Sequence, residues 1–199
     1  MNIGLIGIGT VGGGTYRVLK ENAAEISNKS GIEIKITHVA DKNLKLAKET
    51  VDKETIIEED AFSLIENSSI DTIIELIGGT GIALDIVRKA LENGKHVVTA
   101  NKALIAMHGE ELFKIANKKN VLLAYEAAVA GGIPIIKALR EGLAANKVNW
   151  VAGILNGTTN YILTEMKGKG KLILLMLTHC GTRVILYTGI SNRNARRYL

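Results

Sequence analysis

The glycine-rich segment near the amino terminus constrains the fold more than any other feature of the sequence. Gly7-Ile8-Gly9-Thr10-Val11-Gly12 has the spacing G-x-G-x-x-G and lies between an apolar run and a segment of helical pattern. In that position the first glycine permits a tight turn, the second lets the backbone approach a pyrophosphate, and the third permits close helix–strand packing. The N–H groups at the start of the helix would bind the anion. The segment predicts a dinucleotide site, with a plain structural turn as the alternative.

Short apolar runs alternate with helix-like segments over most of the chain. The runs predict strands at Asn2–Ile8, Ile32–Ala40, Thr72–Leu76, His96–Thr99 and Val121–Tyr125. The other segments predict helices at Val11–Ala24, Lys45–Lys53, Ala61–Asn67, Ile82–Asn93, Glu110–Lys118 and Ile135–Ala144. Strands that alternate with helices imply right-handed crossovers and a parallel sheet. We therefore predict an α/β fold with a Rossmann-type, doubly wound parallel sheet. After Glu126 the pattern changes, and a second domain begins with small residues, a helix and a strand at Val148–Ile154.

The net charge of +5 is confined to one end of the chain. Residues 167–199 contain seven Lys or Arg and no Asp or Glu, so residues 1–166 hold 18 basic and all 20 acidic residues. A basic tail can bind nucleic acid, but these charges form no stripe, and we expect no nucleic-acid partner. A single cysteine, the absence of a signal-peptide pattern and the lack of a long uncharged apolar stretch predict a cytoplasmic protein with no membrane partner.

Asp41 follows the second predicted strand, where an acidic side chain can accept hydrogen bonds from the adenosine ribose of a dinucleotide. It would favour NAD by repelling a 2′-phosphate, whereas Lys42 and Lys45 could offset that repulsion and admit NADP. An ordinary strand-end turn is the alternative. The sequence leaves the choice between NAD and NADP open.

Four further segments carry a resemblance to a known family. They are Glu75-Leu76-Ile77-Gly78-Gly79, Thr99-Ala100-Asn101-Lys102, the run from Tyr125 to Pro134, and Gly153-Ile154-Leu155-Asn156-Gly157-Thr158-Thr159-Asn160. Together with the glycine loop, their order and spacing resemble homoserine dehydrogenase over residues 1 to about 167. The resemblance implies three regions: a dinucleotide-binding domain (1–126), the start of an α+β substrate and dimerisation domain (127–167), and a basic tail that departs from the family (168–199).

The resemblance also implies an activity and a set of site residues. Members of the family interconvert aspartate 4-semialdehyde and homoserine with a nicotinamide cofactor, in the route to threonine, methionine and isoleucine, and are typically homodimers. Lys102 matches a family lysine held near the reacting carbon, where it can donate a proton or a hydrogen bond to the aldehyde oxygen. A solvated lysine is the alternative. The resemblance assigns these residues to the cofactor: Gly78, Gly79, Thr99, Ala100 and Asn101. A simple glycine turn is the other interpretation of Gly78 and Gly79.

Two more sites follow from the resemblance alone. Glu126 and the carbonyl groups around Val129 and Gly131 resemble the family's site for a monovalent cation, commonly sodium; oxygen ligands suit such an ion, and a non-metal hinge is the alternative. Asn156 and Gly157 resemble a loop that contacts both the nicotinamide and the substrate, and Thr158 resembles a substrate contact. A tight hairpin turn is the alternative there.

Beyond about residue 168 the family pattern stops. The family continues with carboxylates that bind the substrate and with a second catalytic lysine, and neither is recognisable here. The abrupt loss of acidic residues indicates a different reading frame or an artificial junction, which translation of the coding DNA in all frames would test. Hydride transfer requires substrate and cofactor in a near-attack geometry, so we expect cofactor binding with little or no turnover. A non-catalytic nicotinamide-dinucleotide-binding module is the alternative function.

Overall fold

A computed structural model of the chain describes residues 1–149. The chain divides into a compact unit of Met1–Ala145 and a second unit that begins at Asn146, and every element named below belongs to the first unit. Most of the predicted strand Val148–Ile154 lies outside the described residues. So do Asn156, Gly157, Thr158 and the predicted tail 168–199.

The first unit is built around one six-stranded sheet. Its strands are β1 (Asn2–Ile6), β2 (Lys35–Ala40), β3 (Ile56–Glu58), β4 (Thr72–Glu75), β5 (His96–Thr99) and β6 (Leu123–Ala124). They lie in the order β3-β2-β1-β4-β5-β6, and every pair of neighbours is parallel. This is the strand order of dinucleotide-binding doubly wound sheets, which confirms the predicted fold class.

Helices connect the strands. They are α1 (Thr10–Glu21), α2 (Ala23–Ser30), α3 (Leu44–Thr50), α4 (Ala61–Glu66), α5 (Ile82–Glu92), α6 (Lys102–Lys119) and α7 (Ile135–Lys137). A 3₁₀ turn at Glu126–Ala128 follows β6, and α7 continues into a π-type turn at Ala138–Gly142. Within residues 1–149, every helix is too short or too polar to span a bilayer.

Both faces of the sheet are covered, because neighbouring residues on the inner strands are buried on opposite sides. Ile73 packs with the apolar residues of α4, α5 and α6, among them Leu64, Leu91 and Leu112. Ile74, the next residue along β4, packs instead on the other face of the sheet, in the cluster that contains Tyr16 of α1. Apolar runs without alternation are the sequence signature of such doubly buried parallel strands, which explains why β1, β4 and β5 were predictable.

Several elements differ from the sequence prediction. The helix predicted over Ile135–Ala144 is α-helical only at Ile135–Lys137, and β2 begins at Lys35 instead of Ile32. The short strand β3 was not predicted, and one helix predicted over Val11–Ala24 is interrupted at Asn22, whose side-chain amide donates to the carbonyl oxygen of Val18 at 3.0 Å. Helix α6 begins at Lys102 instead of Glu110. Its first half was missed because Gly109 lies inside the helix and lowers the intrinsic helix propensity of that segment.

Candidate functional site

The predicted cofactor and catalytic residues of the first unit converge on one edge of the sheet. The glycine loop follows β1, Asp41 follows β2, Gly78 and Gly79 follow β4, and Lys102 follows β5. Strands β2, β1, β4 and β5 are adjacent and parallel, so their carboxyl ends lie side by side. In open α/β sheets this edge is where ligands bind.

Two glycines of the loop are required by the geometry. Gly7 has φ +94°, and its N–H donates to the carbonyl oxygen of Ala40 at 2.9 Å. An added Cβ on Gly12 would lie 1.9 Å from the carbonyl oxygen of Gly7, so the close approach of α1 to the loop excludes any side chain there. A Cβ on Gly9 would meet no atom within 4 Å, so the loop is open on the side where the prediction places a pyrophosphate.

The amino terminus of α1 offers unused hydrogen-bond donors. Gly9 is the N-cap residue and has no side chain to cap the helix. The first N–H group of the helix to donate a backbone hydrogen bond is that of Gly13, to the Gly9 carbonyl at 2.8 Å. Within the described part of the chain, no group accepts the N–H groups of Thr10, Val11 or Gly12. Free N–H groups and the positive end of the helix dipole form a suitable environment for a phosphate.

Asp41 connects the end of β2 to the glycine loop. One carboxylate oxygen accepts the N–H of Ile8 at 2.7 Å, and the other accepts the N–H of Asn43 at 2.7 Å. The sequence pattern predicted a ribose contact for Asp41, with an ordinary strand-end turn as the alternative, and did not predict the hydrogen bond to the glycine loop. Lys42 is exposed beside it, and Lys45 lies 4.0 Å from Glu49 in an exposed ion pair.

A turn with two glycines follows β4, and the side chain of Glu75 accepts hydrogen bonds from its backbone. Gly78 and Gly79 have φ values of +72° and +74°, and neither has an atom within 4 Å of an added Cβ. Glu75 is completely buried, and its Oε1 accepts the N–H groups of Ile77 at 2.9 Å and Gly78 at 3.0 Å. The turn thus presents open backbone on one side and a buried carboxylate on the other.

The same carboxylate is connected to the start of α6. Thr99, also fully buried, donates its hydroxyl to Oε2 of Glu75 at 2.6 Å and accepts the N–H of Asn101 at 3.0 Å. The Asn101 side chain caps α6 by accepting the N–H of Leu104 at 3.0 Å and donates to the Gly79 carbonyl at 2.5 Å. Lys102 is the first residue of the helix, and it is exposed.

At the predicted cation site, Glu126 already has partners. Its two carboxylate oxygens accept the N–H groups of Ile136 at 2.9 Å and Lys137 at 2.8 Å, so the side chain caps α7. The connecting loop is irregular, with φ values of +47° at Ala130 and +80° at Gly132. Residues 1–149 contain no group of three or more His, Cys, Asp or Glu side chains arranged for a metal.

Glu75 belongs to a motif that the sequence makes visible, but the motif alone gives it no role. A signal was present, because an acidic residue at the end of a buried strand, in the run Thr72-Ile73-Ile74-Glu75-Leu76, has to be hydrogen-bonded or paired. Its partners are backbone N–H groups and a threonine hydroxyl. Their positions depend on the turn that follows, which the sequence pattern does not define.

Comparison with known proteins places this geometry in a family. The chain matches the family described as "Homoserine dehydrogenase, NAD binding domain" over residues 7–126 and the family described as "Homoserine dehydrogenase" over residues 134–179. The second match continues past residue 168, where the sequence pattern predicts the start of the tail; the domain division remains a prediction.

Individual relatives agree with the family match. The chain is 54% identical over 170 residues to a homoserine dehydrogenase of Neisseria gonorrhoeae and 53% identical over 171 residues to one of Pseudomonas aeruginosa, covering 85% and 86% of this chain. It is also similar to the crystal structure of a homoserine dehydrogenase from Thiobacillus denitrificans, with a TM-score of 0.79 and 48% identity over 90% of this chain and 42% of that one. This chain spans 39% of the length of each of the two curated relatives. On the matched residues and the shared fold, the chain belongs to the homoserine dehydrogenase family.

Proposed function

We propose that this chain provides the cofactor site and the lysine proton donor of an NAD(P)-dependent dehydrogenase that interconverts aspartate 4-semialdehyde and homoserine. The observation that carries the proposal is the convergence of the glycine loop and Lys102 on one sheet edge. A binding loop alone would support only a cofactor-binding module. A lysine at the start of α6, two strands away from the loop on the same edge, adds a group suited to carbonyl chemistry.

The residues present fit a dinucleotide. Gly9 leaves room for the pyrophosphate, and the N–H groups of Thr10, Val11 and Gly12 are oriented as donors at a helix amino terminus. Gly78 and Gly79 leave open backbone at the next strand end, which suits a close approach of the ribose and nicotinamide. We assign Thr99, Ala100 and Asn101 to the same end of the cofactor, and Asn156 and Gly157, outside the described residues, to its junction with the substrate.

The reaction assigned to the site is a hydride transfer. A reduced nicotinamide bound there would supply the hydride for the aldehyde carbon of the semialdehyde, and the carbonyl oxygen would take up a proton to give the alcohol. Lys102 donates a hydrogen bond or that proton to the oxygen, which stabilises the negative charge that develops on it. The glycine loop, Asp41 and the turn at Gly78 and Gly79 contribute by orientation, since hydride transfer depends on a near-attack geometry. Thr158 is assigned to the substrate.

Cofactor preference is proposed to depend on Asp41 and Lys42. Both oxygens of Asp41 accept backbone N–H groups, so its charge is fixed at the end of β2, where it disfavours a 2′-phosphate. Lys42 is exposed next to it and can offset that repulsion. Parallel titration with NADH and NADPH measures the balance directly.

Three further properties are proposed on the family resemblance. A monovalent cation, sodium in the first instance, would bind at Glu126, Val129 and Gly131. In support, no described residue donates a hydrogen bond to the carbonyl oxygens of Val129 or Gly131. Homodimer formation and a cytoplasmic location are the other two. Sodium titration, sedimentation and cell fractionation test them.

The test is a binding titration combined with an activity assay on the purified 199-residue chain. NADH and NADPH fluorescence is expected to rise to saturation on binding, and homoserine-dependent reduction of NAD and NADP is measured in parallel, with little turnover predicted. Binding with a low but measurable turnover that depends on Lys102 would establish the dehydrogenase, and binding with no detectable turnover would favour the non-catalytic module. A folded chain that binds neither nucleotide would refute the proposal. Lys102→Met is the matched variant, because it should reduce any turnover while leaving binding intact.

A further inference from the structure

Glu75 is a buried carboxylate that has no cationic partner among residues 1–149. Its exposure is 0%, and none of the ion pairs among those residues includes it. Burying an unpaired charge is costly unless hydrogen bonds compensate for the lost hydration. Three do so here, from the N–H groups of Ile77 and Gly78 and from the hydroxyl of Thr99. Hydrogen bonds to a charged acceptor are stronger than neutral ones, so this carboxylate fixes its three donors firmly.

The hydrogen bonds of Glu75 form part of a closed ring. From its Oε1 the ring passes through the N–H of Gly78 to the Gly79 carbonyl, which accepts the side-chain amide of Asn101. From Asn101 it returns through the Thr99 hydroxyl to the Oε2 of Glu75. The ring joins two segments that are far apart in sequence: the glycine turn after β4 and the amino terminus of α6. A shift of either segment relative to the other would break a hydrogen bond of this ring.

We propose that Glu75 is a positioning residue that couples the cofactor-facing turn at Gly78 and Gly79 to Lys102. It acts through Thr99 and Asn101, and it contacts neither cofactor nor substrate itself. This proposal rests on the proposed function for the meaning of the two segments that it couples. The coupling itself is a property of the hydrogen-bond ring, and it is measurable in the free chain.

The ring requires a carboxylate at this position. A carboxylate only accepts hydrogen bonds, and its two oxygens serve three donors. Glutamine at position 75 would keep one acceptor oxygen for Ile77 and Gly78, but its amide group would face the hydroxyl of Thr99. That hydroxyl would then have to accept both from the new amide and from the N–H of Asn101, and its own hydrogen would lose its partner. We therefore expect Glu75→Gln to fold and to weaken the link selectively.

Thr99→Val is the sharpest test, because it removes one hydroxyl and nearly preserves the shape. It leaves Oε2 of Glu75 without a donor and the N–H of Asn101 without an acceptor. Thr99→Ser restores the hydroxyl. Thr72→Val is the matched control, because Thr72 is also a buried threonine in the sheet and lies at the end of β4 opposite Glu75. Among residues 1–149 its hydroxyl donates a hydrogen bond only to the Met1 sulfur, at 3.5 Å.

Two measurements are made on the full chain. Hydrogen exchange by mass spectrometry is expected to speed up in Thr99→Val at residues 76–81 and 100–106 together, while the core strands exchange as in Thr72→Val. Exchange is expected to return to the original rates in Thr99→Ser. NADPH affinity is expected to fall about tenfold in Glu75→Gln, because Glu75 is buried and is not among the residues assigned to the cofactor, and to stay unchanged in Thr72→Val. If Thr99→Val does not fold, Glu75→Gln replaces it with the same expectations.

The outcomes separate this proposal from the proposed function. A folded Thr99→Val chain with unchanged exchange, or with faster exchange in only one of the two segments, would overturn the coupling. Uniformly faster exchange in every strand, without recovery in Thr99→Ser, would also overturn it by showing a general structural role. If the unsubstituted chain binds no dinucleotide, the proposed function fails, and the exchange pattern still decides whether Glu75 couples the two segments.

Discussion

Gly12 is the residue of the glycine loop at which the backbone leaves no space for a side chain. The obstacle is the carbonyl oxygen of Gly7, 1.9 Å from the position of an added Cβ, and a backbone atom cannot move aside as a side chain can. Gly14 lies two residues further along the same helix, with no atom within 4 Å of its added Cβ. Substitution of these two glycines by alanine therefore distinguishes the effect of close packing, at Gly12, from the effect of helix propensity, at Gly14.

Gly12→Ala is expected to destabilise the chain by about 1–3 kcal/mol, the range for forced overpacking, and to abolish saturable NADPH binding. Helix α1 would have to move away from Gly7, and the N–H groups that are proposed to bind the pyrophosphate would move with it. Gly14→Ala is expected to stabilise the chain by about 0.5–1 kcal/mol, because alanine is the better helix former, and to leave binding unchanged. Urea unfolding and fluorescence titration measure both effects.

Equal binding by the two variants would contradict this assignment of the loop. Unchanged stability in Gly12→Ala would show that α1 shifts without cost and that the contact with Gly7 does not limit the packing. Loss of binding in Gly14→Ala would mean that the helix contacts the ligand on a side that the loop geometry does not indicate.

At the scale of single residues, the sequence predicted roles that follow from fixed spacing but missed those that depend on turn geometry. The glycine spacing encodes a strand, a tight turn and a helix start, so the tasks of Gly7 and Gly12 could be inferred from the sequence alone. Asp41 and Glu75 accept backbone N–H groups at 2.7–3.0 Å. Whether an N–H points at a carboxylate depends on the φ and ψ angles of the turn, and no residue pattern reports those angles.

At the scale of elements, the connection between α4 and β4 is held by a buried lysine. Lys95 is 7% exposed, and its Nζ donates to the carbonyl oxygens of Asn67 and Ile70, each at 2.7 Å. Asn67 is the C-cap of α4, and Ile70 lies just before β4. Burial lowers the pKa of the Lys95 ammonium, and the nearby Asp71 carboxylate partly offsets this effect. The two carbonyl groups compensate for the lost hydration of the charge.

Lys95→Met is expected to lower the free energy of unfolding by about 1.5–3 kcal/mol, because two carbonyl groups lose a charged donor. Methionine keeps the apolar length of the chain, so the effect reports on the hydrogen bonds. Lys53→Met, at an exposed position in the loop before β3, is the control and should change stability by less than about 0.5 kcal/mol. Urea denaturation followed by circular dichroism gives both values; a loss no larger than that of the control would mean that water replaces the lysine.

Elements with a strong pattern were predicted, and those with a weak one were missed. Helix α5 ends as its sequence indicates: Gly94 has φ +75° and donates to Leu91, and Lys95 donates to Ala90, which together form the expected glycine C-cap. Strand β3 has three residues, too few for any periodicity, and it exists because β2 offers it an edge. The first half of α6 depends on the cap from Asn101 and on tertiary packing of Leu104.

At the scale of the whole molecule, the described site is assembled from one compact unit. The glycine loop, Asp41, the turn at Gly78 and Gly79, and Lys102 all lie within Met1–Ala145. A unit of this length buries about two thirds of the surface that its unfolded chain exposes, which is enough for an independent core. The residues predicted to contact the cofactor outside this unit are Asn156 and Gly157.

A chain shortened to residues 1–145 is therefore expected to fold and to bind NADPH within about tenfold of the affinity of the 199-residue chain. The last hydrogen bonds before the truncation, from Leu143 to Ala138 and from Ala144 to Glu141, are internal to residues 1–145.

Binding should raise the stability of both chains by about 2.7 kcal/mol at a ligand concentration one hundred times the dissociation constant. Thermal unfolding at increasing NADPH measures this. Gly12→Ala in the shortened chain is the control and should remove the shift. A shortened chain that folds but shows no shift would mean that the cofactor is held mainly by residues after 145, and the assignment of the site to the sheet edge would then have to be abandoned.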